Sequence, residues 1–136
     1  MAKSIPTHAV KAVITNEHGA ILFLQRNGAA RADGKSNWDL AGGLVEEGEG
    51  DEEALAREVE EELGVKAKIG RRLGEWTFFR PHDGQTVAVT NYEVTLPASD
   101  DGLTLSNEHT AAKFIERADL PKLDVKDSSI FAALGE

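Results

Sequence analysis

The sequence predicts the α/β (α+β) class, on three observations. One central stretch, from Asp51 to a glycine at Gly64, has helical periodicity. Segments rich in apolar and β-branched residues lie on both sides of it. A short helical pattern closes the chain, so strands surround one early helix and a second helix ends it.

Taken in order, residues 1–6 read as a loose end. Thr7 to Thr15 (THAVKAVIT) is mostly apolar, as a central strand would be. Asn16 to Gly19 is a turn, and Ala20 to Gln25 is a second strand that Arg26 ends, so the two read as a hairpin. Asn27 to Asn37 is a polar loop carrying Arg31 and Lys35, and Trp38-Asp39-Leu40 is a short extended piece leading into Gly42-Gly43.

In the helix, Asp51 is an N-cap or first-turn residue, acidic groups crowd the first turn, and Gly64 stands where a C-terminal glycine belongs. Leu55, Val59 and Leu63 form a narrow apolar stripe, with Glu58, Glu61 and Glu62 on the face beside it. Beyond it, Val65 to Ile69 and Arg72 to Arg80 read as two strands, and Pro81 to Gly84 as a turn. Thr86 to Leu96 alternates and pairs back as a hairpin, and Pro97 to Thr110 is a long polar loop. Lys113 to Ile115 is a brief strand and Ala118 to Leu123 a turn around Pro121. Asp127 caps a last helix with Ile130, Phe131 and Leu134 inward.

Three neighbouring carboxylates repel one another, and like charges at i,i+4 cost a helix a few tenths of a kcal/mol. A cation that neutralises them explains the cluster, and hard carboxylate oxygens point to Mg²⁺, with Mn²⁺ as a substitute. The bland alternative is a solvated acidic face. Arg57, the one basic residue between Glu46 and Glu62, lies four residues before Glu61 and can hold a carboxylate by a bidentate contact.

The spacing decides between them. Gly43, five residues, Glu49, seven residues, Arg57-Glu58-Val59, one residue, Glu61-Glu62, one residue, Gly64-Val65 resembles the Nudix box at all nine of its defined positions. The resemblance implies a mixed β-sheet sandwiched between α-helices. It also implies hydrolysis of a nucleoside diphosphate linked to some group X. By residue, it implies metal ligation by Glu58, Glu62, Glu61 and the carbonyl of Gly42, with Arg57 and Glu49 orienting the carboxylates. In this family the general base is a box glutamate, here Glu61 or Glu62, or an acid from a distant loop, and Glu108 stands where such an acid would come from. Arg26, Trp38 and Gly43 are the candidate substrate contacts; Trp76, Phe78, Phe79 and Tyr92 can also stack a base, although packing is the commoner use of such residues. Ala41 departs from the family, which mostly has proline there.

The reaction expected is conversion of a nucleoside triphosphate, normal or oxidised, to monophosphate and pyrophosphate. The alternatives are an ADP-ribose, nucleotide-sugar or dinucleotide pyrophosphatase and a non-catalytic nucleotide-binding module. Enzymes of the ADP-ribose type often carry a proline about 15 residues after the box; Pro81 lies 16 after Val65, but in a PHDG turn.

Charge and composition bound the rest. Residues 46–62 hold 10 acidic residues and one arginine, and the remainder is neutral, so the net charge of −9 is one patch. With no basic footprint, polymeric nucleic acid is not an expected partner. There is no cysteine, hence no disulfide framework or thiolate chemistry. No membrane-length apolar run or signal-peptide core is visible, which predicts a cytoplasmic protein without membrane contact. The 136 residues are read as a single domain whose partner is a small-molecule nucleotide, with a homodimer as the one self-assembly considered.

Overall fold

The structure, a computed structural model, describes residues 6–26, 38–96, 109–123 and 134. Its elements are β1 (His8–Ile14), β2 (Ile21–Arg26), β3 (Trp38–Asp39), β4 (Ala41–Leu44), α1 (Asp51–Leu63), β5 (Lys68–Arg80), β6 (Gln85–Thr95), β7 (His109–Ile115) and a 3₁₀ turn at Arg117–Lys122. Two sheets form, one ordered β4-β1-β6-β5 and the other β3-β2-β7. The first is mixed, because β1 runs antiparallel to β4 and parallel to β6. Among the described residues no helix is long and apolar enough to cross a membrane.

β1 is the centre of the molecule, and its alternation explains the layers. Val10, Ala12 and Ile14 pack with Ala54, Leu55, Val59 and Leu63 of α1. Ala9 and Val13 point to the other side, with Phe23, Leu40, Trp76, Val87 and Val89. A strand buried on both faces needs the near-continuous apolar run that β1 has. The helical stripe behaves as its periodicity predicts, with Leu55, Val59 and Leu63 fully buried.

Capping fixes the ends of α1. Gly50 is the N-cap, Asp51 is the first helical residue, and the Glu53 side chain accepts from the Gly50 amide at 3.3 Å. Gly64 closes the helix at φ 74°, its amide donating to the Glu60 carbonyl. Asp51 also ties the helix to the sheet: His8 Nε2 lies 3.1 Å from its carboxylate and the Tyr92 hydroxyl donates to it at 3.0 Å, while His8 Nδ1 reaches the Ala88 carbonyl. Tyr92 is thus an anchoring residue of the sheet–helix interface.

Four expectations need correction. β1 and β2 are not a paired hairpin; they enter different sheets and share one isolated bridge, Thr15 to Ile21. Both strands are apolar on both faces, and a two-stranded ribbon would leave one face in water. The turn itself is as read, with the Asn16 side chain accepting from the amides of His18 and Ala20. The strands read as Val65 to Ile69 and Arg72 to Arg80 merge into one strand, β5, which begins only at Lys68 and whose register shifts on either side of Arg72. At Gly70 a Cβ would stand 3.0 Å from the Glu93 carbonyl, so that glycine marks a bulge and not a break. The long loop ends sooner than expected, because His109 and Thr110 belong to β7, and β7 is longer than Lys113 to Ile115. The turn around Pro121 is a 3₁₀ helix. The terminal helix expected after Asp127 lies outside the described residues apart from Leu134, which is buried in the core as expected.

Candidate active site

Burial of Leu55, Val59 and Leu63 against β1 turns the acidic face of α1 toward the edge strand β4. Arg57 organises it. Its Nε and Nη2 donate to the two oxygens of Glu49 at 2.7 and 2.9 Å, a bidentate grip. Nη1 donates to Glu58 at 3.0 Å and to Glu61 at 3.4 Å, and Nη2 reaches the Leu44 carbonyl at 3.4 Å. The guanidinium beside it holds the Glu49 carboxyl down at about 2, helped by the Glu46 amide.

Glu62 is the opposite case. It is 7% exposed, its Oε1 accepts from the Gly42 amide at 2.7 Å, and burial pushes its carboxyl up to about 7. Burial also raises Glu58, against the pull of Arg57. Glu61 is the outer member, with a side chain 57% exposed.

The two glycines of β4 make this closeness possible. Gly42 has φ 142°, and a Cβ there would collide with the Val10 carbonyl and stand 2.8 Å from Lys11 Cα. At Gly43 a Cβ would meet all three carboxyl atoms of Glu58 at 2.6–2.9 Å. The edge of the sheet is therefore bare backbone, with the acids of α1 on one side.

On the other side lies a groove of about 610 Å³. Its near wall is Lys11, Asp39, Gly42 and Gly43, and its far wall includes Trp76, Phe78, Phe79 and Arg80. Trp76 is held by its indole N–H donating to Asn91, whereas Phe79 is 62% exposed. Lys11 Nζ donates to Asp39 Oδ2 at 3.0 Å and to the Leu40 carbonyl at 3.4 Å. Arg80 grips Asp83 through two nitrogens and donates to the Pro6 carbonyl.

The structure thus draws together Glu49, Arg57, Glu58, Glu61, Glu62, Gly42 and Gly43. Trp38 packs against the core around Phe23 and is not in the groove wall. Arg26 ends β2, but its side chain, like Arg31, Lys35 and Glu108, lies outside the described residues. Lys11 and Asp39 were not singled out by sequence. The available signal was a lone lysine in the apolar run HAVKAVI.

The donor chemistry suits a hard divalent cation, since it is all oxygen and burial disfavours the charged form of Glu58 and Glu62, a cost that a cation would offset. In their present rotamers Arg57 holds Glu58 and Glu61, and Gly42 holds Glu62. Among the described residues no group of three or more His, Cys, Asp or Glu forms a ready-made cage.

Known proteins resemble this chain in sequence and in fold. The low-salt glycan biosynthesis protein Agl8 of Haloferax volcanii is 34% identical over 83% of this chain and 72% of its own length. The ADP-ribose pyrophosphatase of Methanocaldococcus jannaschii is 30% identical over 87% of this chain and 66% of its own. The CTP pyrophosphohydrolase of Escherichia coli is 44% identical over a shorter region, 45% of this chain and 44% of its own. This chain therefore spans less than two thirds of the length of some of the curated relatives it matches. The solved MutT protein from Methanosarcina mazei Go1 superposes with a TM-score of 0.78 at 26% identity, covering 98% of this chain and 94% of that one. The family model described as the NUDIX domain matches residues 6–134, and the chain belongs to that family.

Proposed function

We propose that this chain is a Mg²⁺-dependent diphosphatase that hydrolyses a nucleoside triphosphate, normal or oxidised, to the monophosphate and pyrophosphate. One observation carries the reading: an arginine-organised carboxylate face and a partly aromatic groove meet across the bare edge at Gly42-Gly43. A nucleotide needs both, a place for its phosphates and a place for its nucleoside.

In this reading Glu58, Glu61, Glu62 and the Gly42 carbonyl hold the metal, for which Mn²⁺ can substitute. Bound there, the cation offsets diphosphate charge and makes a water more acidic. Arg57 and Glu49 keep the carboxylates in place. Gly43 lets the phosphates approach the backbone, and Phe78 and Phe79 offer faces for a base. The base that takes the water's proton is Glu108 or a glutamate of α1.

A second reading, hydrolysis of ADP-ribose or a related dinucleotide, has its own support. Pro81, discounted in sequence as part of a hairpin turn, lines the groove. The likeness to the M. jannaschii ADP-ribose pyrophosphatase also covers most of the chain.

Product analysis across nucleoside triphosphates, their oxidised forms and ADP-ribose, with Mg²⁺ present, separates the readings. Monophosphate and pyrophosphate from a triphosphate are expected. AMP and ribose 5-phosphate as the dominant products would favour the second reading. No hydrolysis of any of them by folded protein would refute both.

A further inference from the structure

Lys11 is out of place in its strand. Its neighbours Ala9, Val10, Ala12 and Val13 are at most 3% exposed, and its own side chain is 14% exposed. Alternation puts it on the Ala9 and Val13 side of β1, where it lines the groove. It pairs across the sheet with Gly42, and the missing side chain there leaves room for its stem, since a Gly42 Cβ would lie 3.0 Å from Lys11 Cδ.

Two of its three ammonium donors go to Asp39 and to the Leu40 carbonyl, the latter at the long distance of 3.4 Å. The Asp39 carboxylate, which also accepts from the Leu40 amide at 2.8 Å, therefore keeps the ammonium in the groove wall with a donor left over. Among the described residues the other guanidinium or ammonium group lining the groove, Arg80, is engaged by Asp83 and Pro6. Among the described residues an anion arriving at the glycine edge also meets the carboxylates of Asp39 on one side and of Glu58 behind Gly43 on the other.

We propose that Lys11, tethered by Asp39, binds the phosphate attached to the nucleoside on the groove side of the Gly42-Gly43 edge. This rests on the nucleotide reading above and assigns one of its phosphates to a residue. A buried ion pair adds little stability over apolar residues of the same volume. A charge-assisted contact to phosphate, by contrast, strengthens binding by about tenfold or more.

The test compares wild type, Lys11→Met, Lys11→Arg and the double variant Lys11→Met/Asp39→Asn, each checked for folding by its melting curve. Binding of AMP, GMP, CMP and UMP and of the four matching nucleosides is measured in saturating Mg²⁺, with kcat and KM for the triphosphates. Lys11→Met is expected to weaken the best-bound monophosphate and raise the triphosphate KM by about tenfold or more. Nucleoside binding should stay at the wild-type level, and Lys11→Arg should recover part of the loss. The double variant leaves no orphaned carboxylate, so it should stay as defective as the single one. Wild-type monophosphate affinity in Lys11→Met, or its return in the double variant, overturns the proposal and leaves the diphosphatase reading standing. Absence of triphosphate hydrolysis by wild type counts against that reading instead, and the monophosphate-to-nucleoside comparison still decides the role of Lys11.

Discussion

The amide of Gly42 donates to Oε1 of Glu62 at 2.7 Å, across 20 positions of the chain, and joins the bare edge of the sheet to the buried acid of α1. The neighbouring glycine meets a different acid, so the two glycines fail differently when replaced. Gly42→Ala forces a Cβ into the Val10 carbonyl at a backbone conformation that side chains avoid. It should destabilise the fold by about 3 kcal/mol or more. Gly43→Ala meets only the end of the flexible Glu58 side chain. It should stay within about 1 kcal/mol of wild-type stability and lose at least tenfold in activity. Denaturant melts beside kcat/KM check both, and equal loss of stability in the two would refute the distinction.

Glu62 gives the metal-free protein a pH dependence of definite sign. Its folded carboxyl titrates at about 7 against 4.5 for the free group, so between those values the native state binds more protons than the unfolded chain. Stability from this group is lost as pH rises, with the full penalty above 7 and none below about 4.5. The shift corresponds to about 3 kcal/mol. Melting curves from pH 5 to 8 in chelator should show the decline in wild type and a flatter profile in Glu62→Gln. A wild-type profile that rises with pH by a similar amount would contradict the burial argument.

Metal should reverse that penalty. If the folded carboxylates hold the cation and the unfolded chain does not, saturating Mg²⁺ should raise the melting temperature at pH 8. Glu58→Gln and Glu62→Gln should blunt this rise and cut activity by about two to four powers of ten. Full turnover by either folded variant would remove it from the ligand set.

The general base is separable by kinetics. If Glu108 takes the proton, Glu108→Gln lowers kcat and alters the acidic limb of the pH–rate profile while metal affinity stays at the wild-type level. If a glutamate of α1 does so, Glu108→Gln costs less than about tenfold, or ~1.4 kcal/mol in barrier. Glu61→Gln, measured beside it at saturating metal, assigns the role to one or the other.

How much of this was legible depended on the range of each interaction. α1 and its acids were readable because helical contacts recur every three or four residues, and Arg57 with Glu61, four residues on, falls within that reach. The family resemblance implied that Arg57 and Glu49 orient the carboxylates, but the bidentate grip of one on the other is seen only in the fold. The partner of β2 was not readable, since a turn such as Asn16 to Gly19 reverses the chain without saying which sheet the next strand joins. The gap left between Ile69 and Arg72 was a bulge, which glycine serves as readily as it serves a turn. Lys11 and Asp39 are 28 positions apart and follow no local period. Only the folded register between β1 and β4 brings the lysine to the glycine edge.

The parallel pairing of β1 with β6 carries a consequence for how the protein is assembled. His8 meets Ala88, 80 positions away, whereas β5 and β6 are joined by a four-residue turn. Closing so long a loop costs more entropy than closing a hairpin, so the β5–β6 ribbon and α1 should gain structure first and β1 should dock late. Lys11 and Gly42 face each other on β1 and β4, and β1 joins them to the far wall on β5 through β6. The groove therefore comes into being with that last docking step. Amide exchange should reflect burial instead, with the exposed edge strand β5 opening first and β1, covered on both faces, protected until the groove is lost with the whole fold.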